Sequence, residues 1–188
     1  MDLKDLLAAK KETIIEKWFD VVLESYPADT SNFLKTKKNR FANPVGYALS
    51  SGLDALFDGL LQEADIETLS PTLDSIVRIR AVQGMPPSRA MVFLFLLKHV
   101  IRDVLEPEIR GGRLSDELAG ELTGLESAID AVALHSFDIY MNCREKIYEL
   151  RAEESRRLTY RLLQKAKLVC EVQDEDPGTG SSNKDTIK

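Results

Sequence analysis

Four side chains with the means to do chemistry fall on the apolar side of helically spaced stretches: Arg80, Arg144, His99 and His135. In LDSIVRIRAVQ, Leu73, Ile76, Val77 and Arg80 share one stripe, while Arg78 falls opposite it with Asp74 four residues earlier. An unpaired guanidinium in a core costs several kcal/mol after relaxation, so Arg80 requires a carboxylate or carbonyl partner. In FDIYMNCREKIYELR the residues Phe137, Tyr140, Met141, Arg144, Ile147 and Tyr148 align on one side, with Asp138, Asn142, Glu145 and Glu149 on the other. Arg80 and Arg144 are thus candidates for structural ion pairs or for contact with an anionic ligand. His99 lies in line with Val92, Phe95 and Leu96, and His135 with Ala128, Ala131, Val132 and Ile139. Either imidazole has the chemistry to ligate haem iron, although a lone histidine on an apolar face is more commonly a satisfied core residue.

Other reactive chemistry lacks its partners. Neither histidine has a second one four residues on, and there is no CxxCH; Cys143 and Cys170 form no CxxC pair, so no metal site, disulfide framework or cofactor is expected. Ser50-Ser51 has no neighbouring base and no G-x-S-x-G elbow. These absences point away from an enzyme.

The polar face of RFANPVGYALSSGLDALFDGL, residues 40–60, sets Tyr47, Ser50, Ser51 and Asp54 beside small residues. That face is expected to meet another helix, with Gly46, Ser50 and Ser51 permitting close approach and Asp54 as partner for Arg80.

The elements that must position these groups are all helical. Leu3, Leu7, Ile14, Trp18, Val21 and Val22 predict one helix from the first residues to about Tyr26, closed by Pro27. A short turn follows around residues 33–38. Asn43 then caps a helix with Pro44 in its first position, and Val45, Leu49, Leu53, Leu56 and Leu60 form its apolar stripe. Ser70-Pro71 repeats the device and opens a helix ending at Gly84. An apolar helix over 88–105 lies between the Pro86-Pro87 pair and the breakers Pro107, Gly111 and Gly112. Ser115, Asp116 and Glu117 open the last element, which has no proline or glycine from Leu125 to Val169 and so predicts a helix of about 50 residues.

No segment alternates with period two, so the fold class is all-α. A chain of 188 residues, 44% of them hydrophobic, supports one domain, placed at 1–150, with a helical extension over 151–170 and a disordered tail over 171–188. Its 25 basic and 31 acidic side chains give a net charge of −6, which opposes the positive field that nonspecific nucleic-acid binding needs. The run AMVFLFLLKHVI is short of the roughly 20 residues of a membrane span, so a cytoplasmic protein without membrane insertion is expected. In the extension, Arg156, Arg157, Arg161, Lys165 and Lys167 interleave with Leu158, Leu162 and Leu163. That pattern suits a solvated face, pairing of two copies, or docking to a partner.

The motifs RFANPVGY (40–47), RIRAVQ (78–83) and FDIYMNCREKIYELR (137–151) resemble, in order and spacing over about residues 3–155, the amino-terminal domain family of the RsbR/RsbRD-type RsbT co-antagonists, the sensor modules of bacterial stressosomes. The resemblance implies a globin-like helical bundle without haem, usually dimeric, whose last helix leads into a STAS domain. After Leu168 only a short polar stretch remains, so a freestanding regulatory or adaptor role without a STAS domain is expected. The expected function is a non-enzymatic sensor domain in stress signalling. It would act as a homodimer through Tyr140, Ile147, Tyr148, Leu158 and Leu162, with an unidentified regulatory protein as partner. The alternatives are a haem-binding or small-molecule sensor built on the same bundle, and a helical enzyme.

Overall fold

The computed structural model describes residues 2–36, 41–111 and 116–166. Among them there is no strand, and the elements in chain order are α1 (Leu3–Ala9), α2 (Lys11–Leu23), α3 (Ala28–Thr36), α4 (Pro44–Leu61), α5 (Ile66–Val82), α6 (Pro87–Arg110) and α7 (Asp116–Lys165). The all-α expectation and the long last helix are both present. The proposed cap at Ser115 and the tail 171–188 lie outside the described residues.

Several helix boundaries differ from the sequence expectation, for physical reasons. The first helix is broken at Lys10, which carries no capping side chain and takes φ −105° and ψ 6°. No breaker residue marks that site; Lys10 instead reaches Glu108 of α6 with its ammonium at 3.0 Å, a tertiary contact. Ahead of Pro71, α5 starts at Ile66 because the Asp65 carboxylate accepts from the Thr68 N–H at 2.8 Å. An earlier, better cap thus overrides Ser70-Pro71, at the cost of the one helical bond that proline cannot donate. Likewise Pro107 sits inside α6, which continues to Arg110.

The chain divides into two compact units, Met1–Tyr148 and Glu149–Lys188. In the first, Ile14, Trp18, Leu49, Leu53, Leu73, Ile76, Phe93, Leu94, Leu97 and Ile129 join one buried cluster drawn from α2, α4, α5, α6 and α7. Trp18 is fully buried against Phe93, and its indole N–H donates to the Phe93 carbonyl at 2.7 Å. Lys98 pairs with Asp130, and Arg102 with Glu126. As one number rises by four the other falls by four, so α6 and this part of α7 run antiparallel. In the second unit every described residue is exposed, and local pairs such as Arg157 with Glu153 decorate the helix.

The Arg102 guanidinium, chiefly by hydrogen bonding, holds the Glu126 carboxyl below its ordinary value of 4.5. A depressed carboxylate contributes stability above its unfolded pKa and loses it as pH falls through the folded one. Glu126→Gln is therefore expected to cost about 0.2–1 kcal/mol at pH 7 and progressively less below pH 4.5, in urea titrations followed by circular dichroism. A variant difference that stays constant on acidification would contradict this.

Candidate functional site

Of the candidate side chains, Arg80, Tyr140 and Arg144 meet at the α5–α6 turn. Gly84, at φ +75°, ends α5 in a paired closure: its N–H donates to the Ala81 carbonyl at 3.1 Å, and the Met85 N–H donates to the Arg80 carbonyl at 3.2 Å. This is the left-handed closure that glycine allows without steric cost.

Immediately inside the turn lies Arg80, with no exposed surface. Its Nη2 donates to Ser25 Oγ at 2.9 Å and to the Arg89 carbonyl at 2.8 Å, so the carbonyl partner required by the sequence argument is there. The guanidinium carbon lies 5.4 Å from the centre of the Tyr26 ring and 5.7 Å from that of Phe93. Nε and Nη1 are buried without hydrogen-bond partners, as is the Tyr26 hydroxyl. Burial pushes the Tyr26 phenol up and the Arg80 guanidinium down, and each group partly offsets the other's shift. The phenol is neutral, so the guanidinium meets it as a cation against an aromatic ring and a dipole, and no well-directed hydrogen bond joins Tyr26 Oη to the guanidinium.

Asp54 is not the partner of Arg80. It pairs with Lys11 of α2 at 3.0 Å, and Lys11 also pairs with Asp58 at 2.6 Å. Hydrogen bonding to Asp58, opposed by burial and reinforced by Asp54, holds the Lys11 ammonium above its ordinary range, which suits a structural cation and not a proton acceptor. Asp54, Ser50 and the half-exposed Tyr47 form one wall of a cleft of about 880 Å³, with Lys11, Ile15, Phe19 and Leu34 among the facing residues. The polar face of α4 thus opens on a cleft in place of a close helix contact. Gly46 instead makes room for the carboxamide of Asn43, and the Ser51 hydroxyl bonds back to the Tyr47 carbonyl at 2.8 Å.

The histidines are not brought together. His99 is exposed on α6, and His135 is half-buried with Nε2 3.1 Å from Ser70 Oγ. Neither lines the α2–α4 cleft, nor a second cleft of about 720 Å³ walled by Leu3, Leu60, Leu69, Leu125 and Val132.

On its outer side the α5–α6 turn is held by α7. Tyr140 donates its hydroxyl to the Met85 carbonyl at 2.7 Å, and Arg144 Nη1 donates to the Ala81 carbonyl at 3.3 Å. Two of the three motifs that mark the sequence, RIRAVQ (78–83) and FDIYMNCREKIYELR (137–151), thus meet at this turn. A family-wide comparison agrees: the model of the RsbT co-antagonist protein RsbRD N-terminal domain matches residues 12–155. The chain belongs to that family. No curated protein and no solved structure is a significant match to it.

With the RsbRD N-terminal domain in place, the surface of α7 reads differently from the sequence expectation. Tyr140 is buried in its own domain, which withdraws it from the interface set, and Ile147 packs half-buried against the core. Phe137, Met141 and Tyr148 are 42%, 50% and 58% exposed, so the single apolar side divides into an inner and an outer row. Arg144 stands between the rows, its Nη2 donating to Tyr148 Oη at 2.9 Å and its guanidinium over the Tyr148 ring. Leu158 and Leu162, four residues apart, are also exposed.

Sequence reasoning missed Ser25, Tyr26 and the Arg89 carbonyl around Arg80, and Lys11 beside Asp54. Tyr26 had a signal, an aromatic residue ahead of Pro27, but it read as the end of a helix. The Arg89 carbonyl has none, since backbone acceptors are invisible in side-chain patterns.

Proposed function

We propose that this RsbRD N-terminal domain is a non-enzymatic regulatory module in stress signalling, acting as a dimer and through contact with a regulatory protein partner in the cytoplasm. One observation carries the reading: α7 grips the α5–α6 turn with Tyr140 and Arg144 while turning Phe137, Met141 and Tyr148 outward. A change at the turn alters the packing of the helix that presents the exposed row, and a second copy favouring one packing shifts the balance between them. The exposed side chains at 137, 141 and 148 follow heptad-type spacing, which suits helix pairing. Among the described residues no helix is long and apolar enough to cross a membrane.

Light scattering coupled to size-exclusion chromatography tests this on the full chain. A dimer at micromolar concentration is expected, and Phe137→Glu with Met141→Glu is expected to convert it to a monomer, with Leu158→Glu and Leu162→Glu weakening it less. A wild-type monomer at that concentration would sink the dimer.

A second reading, small-molecule sensing on the same bundle, is favoured by the unpartnered donors of Arg80.

A further inference from the structure

We propose that Arg80 and Tyr26 form an internal site for one small monovalent anion, of the size of chloride, nitrate or formate, at the inner side of the α5–α6 turn.

The argument begins with charge. Arg80 is fully buried, and no carboxylate pairs with it among the described residues. Its partners are a hydroxyl, a carbonyl and two aromatic faces, all neutral. The last turn of α5 adds the favourable end of a helix dipole, about half a unit of negative charge spread over several carbonyls. A guanidinium does not shed its proton in a protein, so the remaining positive charge stays in the core. Removing a charge from water without a counter-charge costs several kcal/mol, and a buried anion offsets that cost.

Hydrogen bonding points the same way. Nε, Nη1 and the Tyr26 hydroxyl are three donor-bearing atoms, each buried and none in a well-directed hydrogen bond. Buried donors are nearly always satisfied. A water molecule would satisfy some of them and leave the net charge untouched; an anion answers both.

Size and valence follow from the same surroundings. Arg80 and Tyr26 line neither of the two clefts, so only an ion of a few atoms is compatible with so closely packed a position. A dianion such as sulfate opposite a single guanidinium would leave a buried negative charge in place of a positive one. Monovalent ions of a few atoms fit the requirement.

The site lies against the turn that α7 grips. The Arg89 carbonyl flanks it, and the carbonyls of Ala81 and Met85, next in the same turn, accept from Arg144 and Tyr140. Occupancy therefore bears on the packing of α7, a consequence that rests on the regulatory reading above; anion binding itself does not.

The test uses the full chain exchanged into sodium gluconate, an anion too large to enter. Sodium chloride, nitrate, formate and sulfate are then titrated in at constant ionic strength, with thermal unfolding as readout. A saturable rise in the midpoint with the three small monovalent anions, absent with sulfate, is expected. It should vanish in Arg80→Met and weaken in Tyr26→Phe. Chlorine-35 magnetic resonance on the wild type should show excess line broadening that nitrate displaces, and this arm stands if Arg80→Met fails to fold. Equal responses to all salts, no saturation, or broadening unaffected by nitrate would mean water alone occupies the site and would overturn the proposal. A saturable shift that leaves the oligomeric state unchanged would support the site and sever its link to α7.

Discussion

Trp18→Ala is expected to lower the unfolding free energy by about 3–5 kcal/mol, the range for emptying a large aromatic from a core. Trp18 has no exposed surface, stacks on Phe93 with ring centres 6.3 Å apart, and joins α2 to α6 through its indole N–H. Against a typical domain stability of about 5–15 kcal/mol that loss is roughly between a fifth and all of the total. Trp18→Phe separates the contributions. It keeps much of the buried ring and gives up the hydrogen bond, and because the Phe93 carbonyl still has its own helix partner, the expected cost is about 1–2 kcal/mol. Trp18 is the only tryptophan, so the series must be followed by far-ultraviolet circular dichroism in urea. A Trp18→Ala loss below about 1 kcal/mol would mean that the α2–α6 contact is not where the core is anchored.

The same residue illustrates what the sequence could say. Trp18 and its neighbours Ile14 and Val22 repeat at helical spacing, and that periodicity is enough to place them inward; all three are fully buried. It could not locate the break at Lys10, which no breaker residue marks and where the side chain meets Glu108, nearly a hundred residues away. Caps were legible where a single residue type suffices, as at Asn43-Pro44, and misleading at Ser70-Pro71, where Asp65 competes five residues earlier.

The candidate site was half legible for a related reason. Arg80 stood out because a charge interrupted an apolar stripe, which any one-dimensional reading can detect. Its surroundings did not, since Ser25, Tyr26 and the Arg89 carbonyl reach it from α6 and the segment after α2. Asp54 was assigned to the wrong cation because side-chain sign does not distinguish Lys11 from Arg80; only the fold does. On α7, six residues within twelve positions were too many for one face, and Tyr140 with its hydroxyl on the Met85 carbonyl belongs to the inner row. An account of helix pairing that keeps Tyr140 at the interface would therefore have to break that bond first.

The second large effect is expected at Asn43, where one buried carboxamide serves two elements. Its oxygen accepts from the Gly46 N–H at 2.8 Å, capping α4, and its nitrogen donates to the Leu34 carbonyl at 2.9 Å, fastening α3. Asn43→Ala removes the cap, about 0.5–2 kcal/mol, and leaves a buried carbonyl unsatisfied, about 1–3 kcal/mol more, so a total of about 1.5–5 kcal/mol is expected. Leu34 and Tyr47 both line the α2–α4 cleft, so the loss should also loosen that cleft's walls, visible as faster amide exchange in α3. Gly46→Ala supplies the control. Alanine normally favours a helix over glycine by about 1 kcal/mol, but a Cβ here would fall on Asn43 Nδ2 and 2.8 Å from its Cγ, so the substitution should destabilise. With the carboxamide gone the clash goes too, and Gly46→Ala made in the Asn43→Ala background should turn stabilising. That reversal of sign is a coupling between neighbours that additive costs cannot produce, and finding Gly46→Ala equally harmful in both backgrounds would show that Asn43 is not what the glycine is there to admit.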